Sequence, residues 1–320
     1  MRIRFWGTRG SLPTATEGAV IRDKIKRALL KAAGRQFADE AALDRFIDTD
    51  LEFPLRSGYG GNTSSVEVIG GHHYTLCDMG SGLRCFGQQV LAQHGSGRPQ
   101  VYNFFMSHVH WDHIMGFPFF PPAYIPGNTI RIHGGHSLAV LEEAFRRQQS
   151  DPCFPVHWHQ LRASISFVPL AADRWYEIDG LRVRAKLQPH PGDSYGYRFE
   201  KNGRSMVYST DGEHKLQSEH ETAAMVEFYR DADLVVFDSM YSFNEMIDAK
   251  ADWGHSSNIV GVDLCLRAKV KHYCMFHHEP SYSDDTIYSV LGETRRYAEI
   301  AGENNSLQVS TAYDGLVIDL

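Results

Sequence analysis

A six-residue segment, His108-Val109-His110-Trp111-Asp112-His113, closely follows an apolar run at residues 101–106. A near-continuous apolar run of this length predicts a strand that is covered on both faces. At the end of such a strand, residues 108 and 110 point to the same side, and the chain then turns to present residues 112 and 113. Imidazoles and carboxylates at this spacing can supply two different cations, the first bound by His108 and His110 and the second by Asp112 and His113. The alternative interpretation is a histidine-rich surface loop.

The remaining chain predicts many strands with helices between them. Strands are expected at residues 2–6, 65–69, 73–78, 101–106, 164–168, 181–188, 195–199, 205–209, 234–238, 273–276, 307–310 and 316–318. Helices are expected at residues 138–149, 257–268 and 284–301, the last with Asp284 as its cap. With strands near both ends, this order favours two packed sheets with helices outside. Without an internal repeat or an obvious linker, we expect residues 1–320 to form a single domain.

Residues 14–56 predict a helical insertion in this domain. Thr14 and Glu17 have the spacing of a capping box. Apolar residues then recur at helical intervals, at Ile21, Ile25, Ala28, Leu29 and Ala32. The opposite face carries the basic residues Arg22, Lys24, Lys26, Arg27 and Lys31. A basic face of this kind is usually solvated, and contact with an anionic substrate is the alternative.

The amino-acid composition argues for some classes of function and against others. The formal net charge is -7, from 39 acidic and 32 basic residues, which argues against broad nucleic-acid binding. Histidine is the commonest metal ligand, and its 17 occurrences favour a metal or acid–base site. The 5 cysteines form no Cys-x-x-Cys pair, as expected for reduced cysteine in a cytosolic protein. Since the N-terminus lacks a signal-like apolar core and no apolar run could span a membrane, we expect a cytoplasmic protein.

Further metal ligands must come from distant parts of the chain, because the 108–113 segment alone does not close a dinuclear site. The candidates lie just past predicted strand ends, at His190, at Asp211 and at the neighbours His277 and His278. Each of these residues taken alone reads as an ordinary loop residue. Their shared position at strand ends makes them candidates as a set.

Several motifs together resemble the metallo-β-lactamase superfamily over nearly the whole chain. The resemblance is narrower to the branch that contains tRNase Z, the phosphonate-pathway cyclic phosphodiesterase and the anti-Pycsar cyclic-nucleotide hydrolases. The motifs are Phe5-Trp6-Gly7-Thr8-Arg9-Gly10-Ser11, Gly60-Gly61-Asn62-Thr63-Ser64, Asp78-Met79-Gly80-Ser81-Gly82, the 108–113 segment, Ser209-Thr210-Asp211, Gly254-His255-Ser256-Ser257 and His277-His278-Glu279-Pro280. The resemblance implies an α/β fold, a four-layer αββα sandwich with two zinc ions at one edge. Manganese is the alternative metal.

The resemblance also implies roles for individual residues. The first metal would be held by His108, His110 and His190. The second would be held by Asp112, His113 and His277, with His278 as the alternative to His277. Asp211 would bridge both metals. His255 resembles a histidine near the leaving group, a general acid or phosphate clamp, and Asp238 is placed to orient it. The expected catalytic residues are therefore Asp112, His255 and Asp238, while a helix-start histidine bonded to backbone is the alternative for His255.

The function these observations predict is hydrolysis of a small nucleotide-like phosphodiester, such as a 3′,5′-cyclic nucleotide. A water shared by two cations loses a proton near neutral pH and becomes the nucleophile. The acidic net charge, and the lack of a Gly/Pro-rich arm resembling the tRNA-binding exosite of tRNase Z, make long nucleic acid a less favoured substrate. A tRNase Z-like nuclease and a non-catalytic metal-dependent sensor are the alternatives. The resemblance further suggests a homodimer, and no membrane partner is expected.

An aromatic, proline-rich stretch at residues 117–126 follows the metal motif directly. It could form a wall on which a nucleobase stacks, since base–aromatic stacking tolerates any base. A dimer contact and plain core are equally open interpretations.

Overall fold

A computed structural model describes residues 1–216, 218–242, 253–302 and 307–320. Within these residues the chain forms two seven-stranded sheets with helices on their outer faces. This confirms the predicted αββα sandwich. The predicted strands at residues 101–106, 181–188 and 234–238 are confirmed with the same bounds.

The first sheet contains the early strands and the last one. Its spatial order is β14-β1-β2-β3-β4-β5-β6. These strands are β1 (Arg2–Gly7), β2 (Ser65–Ile69), β3 (Tyr74–Cys77), β4 (Val101–Met106), β5 (Thr129–Gly134), β6 (Ser164–Pro169) and β14 (Val317–Asp319). Strands β3, β4, β5 and β6 run parallel, so the ends of β3 and β4 meet at one edge of the sheet.

The second sheet contains the later strands in the order β13-β12-β11-β10-β9-β8-β7. These strands are β7 (Trp175–Ile178), β8 (Leu181–Gln188), β9 (Ser194–Lys201), β10 (Arg204–Ser209), β11 (Leu234–Asp238), β12 (His272–Phe276) and β13 (Gln308–Thr311). Strands β10, β11 and β12 are parallel, and β8 shares their direction because β9 pairs antiparallel with both β8 and β10. Their carboxyl ends therefore lie at a common edge.

The core between the sheets is formed by side chains from the inner face of each. Phe5 and Phe105 of the first sheet and Phe199 and Phe276 of the second are fully buried there. The rings of Phe5 and Phe276 lie 6.0 Å apart, and those of Phe105 and Phe199 lie 5.1 Å apart. These contacts bring the two sheets together, and with them the two edges that carry the candidate ligands.

Helices cover the outer faces of both sheets. Those on the first sheet include α4 (Leu83–His94) and α6 (Leu138–Gln148), and the short α5 (Trp111–Ile114) follows β4. The second sheet is covered by α7 (Glu219–Tyr229), α8 (Asn258–Arg267) and α9 (Asp284–Ala301). The sequence did not predict β5, β7, α4 or α7. Among the described residues, none of the helices combines the length and apolar character needed to cross a membrane.

Residues 14–56 contain α1 (Gly18–Ala32), α2 (Glu40–Arg45), a π-helical turn (Phe46–Asp50) and α3 (Phe53–Arg56). The capping box predicted for Thr14 and Glu17 is wrong, because α1 begins after Glu17, whose side chain caps nothing. The predicted cap Asp284 is also wrong. Ser283 caps α9, since its side chain accepts a hydrogen bond from the Thr286 amide.

The large apolar side chains of α1 are exposed, contrary to its helical periodicity, whereas Ala28 and Ala32 pack against a small apolar cluster. Ile25 and Leu29 keep 56% and 67% of their surface in solvent. Two of its basic residues face the protein, since Lys24 Nζ lies 2.5 Å from the Asp284 carboxylate and Arg27 pairs with Asp285. The other basic residues of the helix are exposed. Acidic residues at the start of α9 therefore orient α1. Two ion pairs and the packing of Ala28 and Ala32 together place this helix.

Candidate metal centre

The 108–113 segment leaves β4 and enters α5, with His110 as the residue that precedes the helix. His108 and His113 are fully or almost fully buried, whereas His110 is exposed. The His113 carbonyl accepts a hydrogen bond from the Met79 amide at 2.8 Å, which ties the turn to the loop after β3. The segment therefore presents its side chains inward, and the site opens to solvent at His110.

A first ligand group comprises His108, His110 and His190. His190 follows β8 and belongs to the second sheet. Its Nε2 lies 3.2 Å from Nδ1 of His110, and the His108 and His110 rings are 4.4 Å apart. One nitrogen from each residue lies within 4.8 Å of the other two. The three imidazoles thus converge on one point across the two sheets.

A second ligand group comprises Asp112, His113 and His277. Asp112 Oδ2 lies 3.1 Å from Nε2 of His113 and 3.5 Å from Nε2 of His277. His277 follows β12, so this group also takes side chains from both sheets. The Ser11 amide donates to Asp112 Oδ2 at 2.9 Å and holds the carboxylate in place.

Asp211 lies between the two groups and directs one oxygen toward each. Its Oδ1 lies 3.4 Å from Nε2 of both His113 and His277 in the second group. Its Oδ2 lies 3.7 Å from His108 Nε2 and 3.9 Å from His190 Nε2 in the first group. Asp211 follows β10 and has a φ of 50°, an uncommon value that turns its carboxylate into this position. This is the geometry expected of a bridging carboxylate.

The donor atoms at this point fit a metal centre. The Nε2 atoms of His108, His113 and His277 are buried and make no hydrogen bond to any described residue. An orphaned buried polar atom is costly, so several that face one another point to a missing shared partner. Imidazole nitrogen and carboxylate oxygen are ligands of zinc and also suit manganese. The exposed His110 side would leave a coordination position open to water or substrate.

The charges of the site favour a cation at the same place. Burial raises the pKa of Asp211, but His277, His113 and His108 outweigh it and bring the pKa well below the usual value. Burial lowers the pKa of His113, but Asp112, Asp211 and Asp78 outweigh it and raise the pKa well above the usual value. The buried carboxylates of Asp112 and Asp211 therefore require positive charge at the point where the histidine Nε2 atoms converge. A divalent cation would supply that charge.

The neighbours His277 and His278 point in different directions. His277 has a φ of 62° and turns its ring into the second ligand group. Gly10 lies against this ring so closely that a Cβ on residue 10 would stand 2.7 Å from it. His278 instead engages the Ala312 carbonyl through Nε2 at 2.9 Å. The geometry therefore favours His277 as the ligand candidate and leaves His278 a structural role.

His255 and Asp238 form a buried pair beside both groups. The Nδ1 atom of His255 lies 2.8 Å from Asp238 Oδ2, while the other oxygen accepts from the Met240 amide at 3.1 Å. Burial lowers the pKa of His255, but Asp238, Asp211 and Asp112 outweigh it and raise the pKa to about 9. The His255 ring stacks on that of His277 at 5.1 Å. Asp238 thus orients His255 next to the metal ligand candidates.

His255 also lies within ligand distance of His190 and Asp211, and of Asp238 and His277. Two further groupings of possible ligands arise in this way. Because Nδ1 of His255 engages Asp238 at 2.8 Å, that atom serves a hydrogen bond. The resemblance predicts a role beside the metals for this histidine, and a role as a ligand is the alternative that these groupings offer.

Asp78, which follows β3, supports the second group and was not among the residues selected from the sequence. Its fully buried carboxylate lies 2.8 Å from Nδ1 of His113 and accepts from Tyr208 Oη at 2.8 Å. The same carboxylate accepts from the Ser107 amide and hydroxyl, each at 2.7 Å. A carboxylate on the far nitrogen of a metal-binding histidine fixes the ring and its tautomer. The only sequence signal was its place in the Asp78-Met79-Gly80 turn.

The aromatic stretch at residues 117–126 is mostly core. Phe117 and Phe120 are fully buried among the side chains under α4 and α6. Phe119 is exposed at 57% and packs edge-on against Phe154 at 5.5 Å. The burial of Phe117 and Phe120 favours the core interpretation for these two rings, while Phe119, Tyr124 and Pro126 keep accessible surface.

Comparison with known proteins agrees with this geometry. Residues 74–278 match the family described as Beta-lactamase superfamily domain. The chain is 20% identical over 307 residues to Ribonuclease Z from Thermoplasma acidophilum, covering 79% of this chain and 90% of that protein. Over 253 residues it is 22% identical to Ribonuclease BN from Proteus mirabilis, covering 64% and 79% of the two chains.

Two solved structures share the fold over essentially the full chain. A diphosphatase from the PhnP family is 18% identical with a TM-score of 0.61, covering 100% of this chain and 97% of its own. The short form of human tRNase Z is 17% identical with a TM-score of 0.58, covering 100% and 99% of the two chains. At these identities the structural likeness establishes the fold alone.

Proposed function

Because this chain belongs to the β-lactamase superfamily domain family and is a metal-dependent hydrolase, we propose that it is a dinuclear phosphodiesterase. Its substrate is a small nucleotide-like phosphodiester such as a 3′,5′-cyclic nucleotide. The metals are two zinc ions, with manganese as the alternative. The observation that carries the proposal is the placement of Asp211, whose two oxygens face two separate ligand groups.

The ligand assignment follows these groups. His108, His110 and His190 hold the first metal, Asp112, His113 and His277 hold the second, and Asp211 bridges them. When bound, two such cations activate a water molecule and neutralise the charge that develops on phosphate oxygens. The chain's own contribution is to fix these ligands from both sheets and to keep the open side at His110 accessible to substrate.

His255 acts next to the leaving group as a general acid or phosphate clamp, and Asp238 orients it. The proposal is supported by the 2.8 Å contact between the two side chains and by the burial of the pair. A positioned proton donor of this kind contributes about 10²- to 10⁴-fold to a rate. Asp238 is a positioning residue, because its Oδ2 lies 2.8 Å from His255 Nδ1 and its Oδ1 accepts from the Met240 amide.

A nuclease is the second candidate function. Ribonuclease Z and Ribonuclease BN are among the relatives of this chain. RNA and a cyclic nucleotide are both phosphodiesters, although the phosphate links two nucleosides in RNA and closes a ring on one nucleoside in a cyclic nucleotide, so the metal chemistry would be shared. The net charge of -7 favours the smaller substrate, because long nucleic acid is bound chiefly through basic surface.

The first experiment is an assay of purified protein with bis(p-nitrophenyl) phosphate, with and without a chelator. We expect turnover that the chelator abolishes and that added zinc or manganese restores. Zinc-loaded protein that hydrolyses none of a broad set of phosphodiesters would contradict the proposal and favour a non-catalytic metal-dependent sensor. Product analysis with cyclic nucleotides and with an RNA ending in a 3′ extension would then separate the two candidate substrates.

We also propose a homodimer as the working form of the protein. Sedimentation equilibrium of the metal-loaded protein would show twice the mass of one chain, and the mass of a single chain would contradict this part of the proposal. Elemental analysis of the same sample would identify the metal and its number per chain.

A further inference from the structure

We infer that Glu213 is a positioning residue that holds the first-metal ligand His190 and the turn carrying His255 through the backbone of Gly254. The inference rests on the proposed function in one respect, the role of His190 as a metal ligand. Glu213 lies two residues after Asp211 and is buried, with 8% of its surface exposed. A carboxylate buried to this extent needs partners, and here Lys215 Nζ lies 3.4 Å from Oε1 while Oε2 accepts from the Gly254 amide.

The contacts form a continuous chain. Glu213 Oε2 accepts a hydrogen bond from the Gly254 amide at 3.0 Å. The carbonyl of the same glycine lies 2.8 Å from Nδ1 of His190, which donates to it. The peptide unit of that carbonyl leads directly into His255. The Glu213 carboxylate therefore holds Gly254, whose carbonyl accepts from His190 and whose peptide bond continues into His255.

Glycine is the only residue type that fits position 254 without strain. Its φ is 86°, in the left-handed region that glycine adopts without strain. A Cβ at this residue would stand 2.7 Å from both His190 Nδ1 and Pro191 Cδ. The carbonyl can approach the imidazole only because a side chain is absent, so the position of this backbone matters for His190.

Neighbouring bonds join the same loops. The Glu213 amide donates to the Pro189 carbonyl at 2.8 Å, which ties the loop after β10 to the loop after β8. Ser256 accepts from the His214 amide at 3.0 Å and donates to the Gly212 carbonyl at 2.5 Å. The loops that carry His190, Asp211 and His255 are thus one bonded unit, with Glu213 at its centre.

The chemical consequence concerns the tautomer of His190. With Nδ1 donating to the Gly254 carbonyl, Nε2 is left as the acceptor atom, and it points toward His110 and Asp211. Outer-shell groups of this kind typically change metal affinity by about 10- to 100-fold. Glu213 acts one step further out, by keeping the accepting carbonyl in place.

The test compares three substitutions at Glu213 with a matched control. Glu213→Ala removes the acceptor, Glu213→Asp keeps the charge but is one methylene too short, and Glu213→Gln keeps an acceptor oxygen. Glu221→Ala is the control, because Glu221 is an exposed acid that lines the same groove beside His190. Metal content and the visible absorption of the cobalt-substituted protein report on the first site, and kcat and KM are measured separately.

We expect Glu213→Ala and Glu213→Asp to weaken binding of one of the two metals about 10-fold or more and to shift the cobalt spectrum. Glu213→Gln should restore most of the affinity, and Glu221→Ala should match the native protein. The inference would be overturned if Glu213→Ala kept both metals with an unchanged spectrum, or if Glu213→Gln were as impaired as Glu213→Ala.

A measurement on the metal-free protein separates this inference from the proposed function. The Gly254 amide resonance should move in Glu213→Ala and Glu213→Asp, because its hydrogen bond is lost, while Glu221→Ala should leave it in place. An unmoved resonance would contradict the bond itself. Native protein that binds no metal would instead overturn the proposed function and leave this part of the inference standing.

Discussion

The two halves of the candidate metal centre are built in different ways. The first sheet supplies His108, His110, Asp112 and His113 from one six-residue segment after β4. The second sheet supplies His190, Asp211 and His277 from three separate strand ends. The first half is therefore arranged by local chain geometry, supported by Asp78. The second half depends on sheet packing and on bonds between loops.

This difference indicates which half of the candidate metal centre is more sensitive to substitution. A contiguous segment keeps its spacing even if a neighbouring contact is lost. A distributed set loses a ligand when one loop shifts. Glu213, Gly254 and Ser256 bond the loops of His190 and Asp211 to the turn that carries His255. We therefore expect substitutions in the second half to spread further through the site.

The largest effect is expected for Asp211→Ala, because Asp211 serves both ligand groups. Both metals should be lost or greatly weakened, and activity should fall by more than the roughly 10- to 100-fold typical of outer-shell groups. Elemental analysis and kcat/KM measure the two effects. Glu221→Ala, at an exposed acid that lines a groove with His190, is the matched control. Full metal retention by Asp211→Ala would remove its bridging role.

His255→Ala should give the next effect and sharpen the comparison, since His255 belongs to the second half without being a ligand. Both metals should remain, while hydrolysis slows by about 10²-fold or more. Exposed His220, which lines a groove with His190, supplies the control His220→Ala. Unchanged turnover in His255→Ala would return this histidine to a structural role at the start of α8.

Asp78→Asn tests the support of the contiguous half. We expect about 10- to 100-fold weaker binding of the second metal, because the substituted amide no longer fixes the tautomer of His113 as a carboxylate does. Tyr208→Phe removes only one bond to Asp78 and should have a smaller effect. Zinc affinity measured by competition with a chromophoric chelator compares the two variants. Equal affinities in Asp78→Asn and native protein would show that the segment needs no such support.

The smallest effect is expected at the α1 helix, which lies outside both halves. Lys24→Ala breaks the mostly buried ion pair with Asp284 and should cost about 1.5–3 kcal/mol of unfolding free energy. Denaturant unfolding measures this cost, and Lys26→Ala, at an exposed neighbour on the same helix, is the control. Metal content and turnover should not change. A large loss of activity would mean that residues 14–56 contribute to the site.

The sequence predicted the fold class and the 108–113 segment because both depend on local pattern. An apolar strand and a ligand-rich turn are adjacent in the chain and are recognised together. His190, Asp211 and His277 were predicted only as a set, from their position after strands and from family resemblance. No local pattern separates His277 from His278, since the choice depends on a backbone φ of 62° and on the close approach of Gly10.

Other features depended on tertiary contacts that a sequence pattern does not contain. Asp78 and Glu213 bond to residues 35 and 41 positions away, His113 and Gly254, so their roles appear only in the fold. The helical periodicity of α1 predicted an inward apolar face, but its large apolar side chains are exposed, and Lys24 and Arg27 pair with the acidic start of α9. The prediction that Thr14 caps α1 is wrong for a related reason. The Thr14 amide donates a hydrogen bond to the Gly61 carbonyl in a neighbouring loop.

The most direct measurement is anomalous diffraction at the zinc edge from crystals of the zinc-loaded protein. We expect two zinc peaks about 3.5–4 Å apart, one beside His108, His110 and His190 and the other beside Asp112, His113 and His277. Asp211 should lie between the peaks with one oxygen on each. A single peak, or zinc bound away from these side chains, would contradict the account.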